Sequence, residues 1–403
     1  MIIRLRKKYI DIFLAFFLVA LYTILKIYRN SINYASTTQG GIWNVILVIL
    51  ITMGFAYIPF IKMKITPSPI RIAVFYAFVV WFNGLITLGI SGIYELYYYI
   101  VAPCFALIML LMFQLTKTGF PERINQFWIL CLVVILLLLF YTYVNYFKEY
   151  QYWESSGKIA LNNSYFIACA IPFFLRKKNK IGILLTIFSV VVVFISNKRA
   201  GLIAVMLGLV FYYYINAKLI GSLRKAMKII TLGILTLAIL CVLFYFIDNF
   251  YDLNVFTRLL KLFKDGGSGR IIIYKYVWNE IRNSNLFQIL FGHGVSSITH
   301  LSMSLSSAHS DFLNIFYEYG IFALILIIVF YIMLFAKLRQ MINLNYENSS
   351  SFAFSIIVSL FFSLFSANLD SQSFSIILAV YWGIEMADWN RYYLIKKTLR
   401  ERT

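Results

Sequence analysis

The 403-residue sequence is poor in charge. Asp, Glu, Lys and Arg make up 13% of it, about half of the roughly 25% that a soluble chain carries. That is too little to cover a water-exposed surface, which excludes a soluble enzyme, a disordered protein and a fibrous repeat. Cysteine is scarce too: Cys104, Cys131, Cys169 and Cys241 each lie inside an apolar run. They read as small buried hydrophobes and exclude a disulfide framework or a thiolate metal site. Acid is the scarcest charge, with 16 Asp and Glu against 36 Lys and Arg. None of the 16 falls at the middle of an expected span; Asp11, Glu95, Glu318, Glu385 and Asp388 sit near span ends. Ion-coupled transporters carry ionisable relays at depth, so this absence disfavours a proton-coupled transporter.

What is present is apolar: 62% hydrophobic and 19% aromatic residues. The runs, such as 131–146 and 229–247, are continuous. A transmembrane barrel would alternate apolar and polar residues in segments of roughly ten, whereas continuous runs of this length read as helices. The expected fold is therefore all-α and polytopic, with about 12 transmembrane helices near 10–27, 42–61, 72–88, 94–114, 127–146, 161–175, 181–196, 201–216, 229–247, 312–335, 352–367 and 373–390. Arg4-Leu5-Arg6-Lys7-Lys8 precedes an apolar run too long for a signal peptide, so the first run reads as a retained span.

Basic residues orient this array. Short connections on one side hold 24 Lys and Arg, those on the other hold six, and one long loop holds six. The asymmetry puts both termini in the cytoplasm. It also accounts for the net charge of +20 without nucleic acid, which would need basic residues gathered on one surface. No internal repeat is present. The chain reads as one membrane domain, 1–403, with a single large external loop, 248–311.

That loop is far longer than any other connection, and long loops are commonly functional. Within it, Asp265-Gly266-Gly267-Ser268-Gly269 marks a turn. A helix is expected from there, with Ser268 as N-cap. Ile271, Tyr274, Trp278 and Ile281 would share one face, and Lys275, Asn279 and Arg282 the other. The run Gly266-Gly267-Ser268-Gly269 is not a nucleotide loop, because no Gly-Lys-Ser/Thr follows. The loop also holds all three histidines, His293, His300 and His309. Their spacings of seven and nine fit no common zinc pattern. A surface role accounts for His293 and His300. His309 differs, because Asp311, Asn314 and Glu318 follow at helical spacing and draw a polar stripe on a helix entering the membrane. Such a stripe faces a cavity or another helix rather than lipid; capping and anchoring of the helix start account for it equally well.

Two arginines stand out on the same side. Ser196-Asn197-Lys198-Arg199-Ala200-Gly201 is a short turn that sets Lys198 and Arg199 at the membrane face, where snorkelling is the alternative reading. Arg270, in the first turn of the loop helix, joins backbone N–H groups that favour an anion. Arginine suits bidentate phosphate contacts. Together these residues point to a phosphate-bearing lipid handled from outside.

Ser196-Asn197-Lys198-Arg199, Ser268-Gly269-Arg270 with Trp278 downstream, Gly292-His293-Gly294, and His309 with Leu313 and Gly320 occur in this order around the long loop. Over roughly residues 180–335 the chain thereby resembles the bacterial O-antigen ligase and polymerase superfamily, whose polymerase branch is called Wzy-type. Family members often carry His-Asn where this chain has His309-Ser310. The resemblance implies a GT-C-like, metal-independent glycosyltransferase of the bacterial cytoplasmic (inner) membrane. It would use an undecaprenyl diphosphate-linked oligosaccharide as donor, among membrane lipids, with a chain-length regulator as a further protein partner and no cofactor. The family's diphosphate-binding arginines match Arg199 and Arg270, with Lys198 beside them, and its loop histidine, which activates the acceptor hydroxyl, matches His309. Asp311, Asn314, Glu318 and His293 would support the acceptor cavity. Independence of metal agrees with residues 30–41, the first outer loop, which contain no acidic residue.

The function expected is a surface-polysaccharide polymerase. A ligase transferring the same glycan to lipid A core would share the chemistry. A lipid-linked oligosaccharide flippase would need polar groups deep in the spans, and the sequence shows few. Reporter fusions at Lys178 and Gly267 test the topology: they should report opposite compartments, and the same compartment for both would overturn the span assignment.

Overall fold

A computed structural model describes residues 2–32, 41–62, 65–91, 96–148, 163–196, 198–220, 223–251, 270–301, 307–366, 369 and 374–400. The expected turn at 265–269 with its Ser268 cap, Asn197 and most of the first outer loop lie outside these residues. The described residues form helices and no strands: α1 (Ile2–Ile32), α2 (Ile42–Phe55), α3 (Ser68–Ser91), α4 (Leu96–Val101), α5 (Cys104–Thr116), α6 (Glu122–Lys148), α7 (Ser164–Arg176), α8 (Lys180–Ile195), α9 (Arg199–Leu219), α10 (Leu223–Tyr251), α11 (Arg270–Arg282), α12 (Leu286–Phe291), α13 (Asp311–Asn343), α14 (Ser349–Phe365) and α15 (Ser375–Arg400). Short 3₁₀ turns at Ile58–Phe60 and Ser297–His300 complete the set.

The protein is an all-α, multi-pass membrane protein. Six helices are long and apolar enough to cross a bilayer, and four shorter apolar helices, α5, α7, α8 and α14, accompany them. Each of the twelve segments expected from the sequence overlaps a helix. One of them, 94–114, is two helices rather than one. The chain turns at Ala102 and Pro103 between α4 and α5, where proline removes a backbone donor and its ring clashes with the preceding turn. The second piece, α5, is buried along its whole length. It packs against α15, α3 and α2 at the centre of the bundle. Gly383 on α15 makes the closest of these approaches possible, because a Cβ there would stand 2.6 Å from the Met109 carbonyl. Small residues at helix contacts serve the same purpose across membrane proteins.

Polar pairs lock the bundle elsewhere. Serines on α14 recur every fourth residue, and all are buried. Ser351 accepts from the Tyr381 hydroxyl and Ser355 from the Trp382 indole, both at 2.9 Å. Ser359 and Ser363 bond the Tyr331 hydroxyl at 2.9 and 2.7 Å. At one end of the bundle, Arg176 pairs with Asp388 and lies 3.6 Å from Glu385. Arg391 also pairs with Asp388 and donates to the Thr116 carbonyl at 2.6 Å. Glu385 is thus not at a helix end: α15 runs on past it to Arg400, and its carboxylate is fully buried beside Arg176.

The break that shapes the opposite end is in α13. A 33-residue helix would measure about 50 Å, against a hydrocarbon core of about 30 Å. Gly320 interrupts it with φ 78°, splitting a first segment of 311–319 from the span proper. The polar stripe of Asp311, Asn314 and Glu318 therefore lies on the short segment that precedes the break. Carbonyls released by the break find other donors. His293 and Gly294 backbone N–H groups donate to the Tyr317 and Glu318 carbonyls at 2.9 and 3.1 Å, and the Asn83 amide of α3 donates to the Tyr319 carbonyl. A small second core covers this module: Val277, Ile281, Ile298, Ala308 and Tyr317, with Ile273, Leu313 and Phe316 against them.

Gly320→Ala should be strongly destabilising. Its Cβ would meet the Leu290 carbonyl at 2.3 Å in a left-handed conformation, costing more than about 1 kcal/mol. Gly201→Ala, in regular helix with its nearest neighbour at 3.4 Å, should hold or raise stability by up to about 1 kcal/mol. Melting temperatures of the purified full chain check both; equal values for the two variants would contradict this account of the break.

Candidate active site

Lys198 stands at the N-cap of α9 in extended conformation, and Arg199 is the first helical residue. Both are half-buried. Arg270 opens α11 and reaches the hydroxyl of Tyr165, the second residue of α7. Tyr165 is buried, and its ring touches the position of Gly201 in the first turn of α9. Its hydroxyl also accepts a hydrogen bond from Ser366, just past α14, at 3.3 Å. The starts of α7, α9 and α11 therefore meet around one tyrosine. Each start is the positive end of a helix dipole.

His309 joins them from the turn that begins α13. Its φ is 55°, a left-handed conformation that costs a non-glycine residue about 1–3 kcal/mol unless its surroundings impose it. Here they do. Asn314 accepts from the Ala308 N–H at 2.7 Å and donates to the Ser307 hydroxyl at 2.9 Å. The His309 N–H donates to the same hydroxyl at 3.0 Å. The Tyr274 hydroxyl faces the His309 carbonyl at 3.1 Å and the Leu364 carbonyl at 3.2 Å.

The rest of the expected stripe is divided among different tasks. The buried Asp311 carboxylate accepts from the Ser363 hydroxyl at 2.5 Å and the Leu369 N–H at 2.8 Å, tying α13 to the turn after α14. Glu318 is buried beside the break. His293 lies at the far end of α11. Its Nε2 is 3.1 Å from the Ser284 hydroxyl, its Nδ1 is 3.1 Å from the Tyr317 carbonyl, and its ring stacks on Tyr317 with centroids 4.1 Å apart. These contacts brace the break; they do not bring His293 to His309.

Burial holds the His309 imidazole below its ordinary pKa, and the positive charges of Arg270 and Lys198 push it the same way. Three of the residues expected at the site thus share one electrostatic field. A neutral imidazole at pH 7 can accept a proton, while the adjacent cations and helix starts can hold an anion. Among the described residues no group of three His, Cys, Asp or Glu side chains is placed to hold a metal ion.

The face expected to be shared by Ile271, Tyr274, Trp278 and Ile281 is divided in the structure. Val277 and Ile281 are buried, with Ile273 and Tyr274 beside them, whereas Ile271 and Trp278 are about half exposed. Arg270 lies on the inward face, one turn from Tyr274. Sequence reasoning missed Tyr165, Ser363 and Ser366. The fourfold spacing of Ser351, Ser355, Ser359 and Ser363 in an apolar run was the available signal for an inward polar edge on α14; nothing distinguished Tyr165 among 30 tyrosines.

Residues 184–328 match the family Wzy_C, described as O-antigen ligase. The match supports the O-antigen ligase/polymerase superfamily and a surface-polysaccharide enzyme of that type. No curated protein matches the chain. The Wzy_C segment runs from α8 through the break in α13, and so carries Lys198, Arg199, Arg270, His293 and His309. Tyr165 and the turn after α14 lie outside it.

The electrostatics of His309 generate a prediction. Protonation adds a positive charge beside two others, so its midpoint should lie below 6.5, and removing one cation should raise it. Histidine NMR of the full-length protein, assigned with His309→Asn, should show this upward move in Lys198→Gln. A midpoint at or above 6.5 that ignores Lys198→Gln would refute the shared field.

Proposed function

We propose that this chain is a bacterial surface-polysaccharide polymerase acting at the outer face of the cytoplasmic membrane, with both termini cytoplasmic. The observation that carries the reading is His309 placed beside Arg270 and Lys198, where helix N-termini meet around Tyr165, with its pKa lowered by burial and by those two charges. The donor is a glycan linked to undecaprenyl diphosphate, and the acceptor is a sugar hydroxyl of a second lipid-linked repeat unit.

Arg199, Arg270 and Lys198 hold the diphosphate. His309 takes the proton from the acceptor hydroxyl as its oxygen attacks the anomeric carbon. The bond from that carbon to the diphosphate oxygen breaks, and undecaprenyl diphosphate leaves with its developing charge met by the arginines. Asn314 positions the histidine turn, and Tyr274 fixes its carbonyl. No step calls for a metal, and turnover should survive EDTA. The family description, O-antigen ligase, favours one second reading: the same chemistry with lipid A core as acceptor. A deletion strain separates them, since a polymerase null leaves single repeat units on the core and a ligase null leaves polymer on the lipid carrier.

Turnover of a synthetic lipid-linked repeat unit, measured beside donor binding, tests the roles. His309→Ala should lower turnover by about 10²–10⁴-fold and keep donor binding. Arg270→Ala should abolish both. Arg199→Lys should be strongly impaired, because an ammonium cannot reproduce bidentate phosphate contacts. Lys177→Ala, in the turn between α7 and α8, should be unchanged. Near wild-type turnover in His309→Ala would sink the base assignment.

A further inference from the structure

A half-open cavity of about 260 Å³ lies at the other end of α11, lined by Phe287, Gln288, His293, Ser297, His300 and Tyr317 among others. Its position is set by the break in α13: His293 is fixed against Tyr317 and Ser284, and the chain then turns through Ser297–His300. Arg270 and Ser284 bracket α11, whose 13 residues span about 20 Å. The cavity is thus separated from the cationic cluster by roughly the length of that helix.

Its lining differs in kind from the cluster. No Lys, Arg, Asp or Glu contributes to it, so it offers nothing to a diphosphate. It has aromatic walls, with the Phe287 ring partly exposed and the His293 and Tyr317 rings stacked. Among these stand an amide, imidazoles and a hydroxyl. Among the described residues the Ser297 hydroxyl is buried and has no hydrogen-bond partner. A buried hydroxyl is costly to leave unbonded, so a polar ligand suits it. Few polar groups set among aromatic faces describe an uncharged ligand site. At just under the roughly 300–1,000 Å³ of drug-sized pockets, the volume suits one sugar ring.

We infer that this cavity is a glycan subsite, which grips an uncharged sugar of the growing chain at a distance from the reacting centre. The inference rests on the polymerase reading. A glycan seated with its diphosphate at Arg270 reaches the cavity only when it spans the length of α11, about 20 Å, which a growing chain attains. The subsite would hold the polymer between additions and so favour long products.

The test uses the full chain in nanodiscs and lipid-linked repeat units extracted from a strain lacking this protein. Ser297→Phe fills the cavity, and His300→Ala removes a polar wall with less risk to folding. Both should still join the first two units at near wild-type rate, while the modal product length falls at least twofold. Saturation-transfer NMR with the oligosaccharide released from the same extract should show binding to the wild type and to His309→Ala, and loss in Ser297→Phe. Unchanged product length together with unchanged oligosaccharide binding in both variants overturns the subsite. If the wild type joins no units at all, the polymerase reading fails, and the NMR arm alone then decides whether the cavity binds sugar.

Discussion

A buried backbone carbonyl must be hydrogen-bonded, and the far end of this bundle is organised around that demand. The break at Gly320 releases the carbonyls of Tyr317, Glu318 and Tyr319 from the helix. Each unbonded one would cost several kcal/mol in apolar surroundings. The chain answers with Gly292-His293-Gly294 laid alongside and with Asn83 of α3 reaching across. Gly292 is as constrained as Gly320, since a Cβ there would meet the Glu318 carbonyl at 2.2 Å. The next residue, Val295, donates its N–H to the Tyr99 hydroxyl of α4 at 2.8 Å. The module is thus fastened to the membrane bundle by groups that the break itself exposes.

With the module fastened, α11 is held over the bundle and Arg270 is delivered to Tyr165. The chemistry then follows from where helices begin. The starts of α7, α9, α11 and α13 gather at one end, so their dipoles point the same sign at one place, and Lys198, Arg199 and Arg270 add to it. The carboxylate in the first turn of α13, Asp311, is engaged by Ser363 and the Leu369 N–H, while burial and the charges of Arg270 and Lys198 act on His309. Under the proposed function, that field would hold the diphosphate, and the same charges lower the pKa of the imidazole.

Much of this was legible in the sequence, for local reasons. Continuous apolar runs mark the helices without reference to partners, and Lys198, Arg270 and His309, singled out around one long loop, are brought together by the fold. What was not legible depends on contacts between distant segments. Gly320 is one glycine in an apolar run until residues 292–294 pair with the carbonyls it frees. Ile271, Ile272 and Ile273 are consecutive, so periodicity could not choose the inward face of α11; the pairing of Val277 and Ile281 with Ile298 and Tyr317 does. The stripe of Asp311, Asn314 and Glu318 was visible as a stripe, but its division into a tie, a turn lock and a residue beside the break follows only from their partners.

The central claim is that the lipid diphosphate sits where the helix starts converge, within reach of His309. The most direct measurement is a density map of the full chain in nanodiscs, with an undecaprenyl diphosphate-linked repeat unit bound to His309→Ala to prevent turnover. The account predicts two phosphate peaks between the N-terminal turns of α9 and α11, against Arg199 and Arg270, with the first sugar directed at position 309. Phosphate density at the opposite end of the bundle, or more than one helix turn from both arginines, would contradict it.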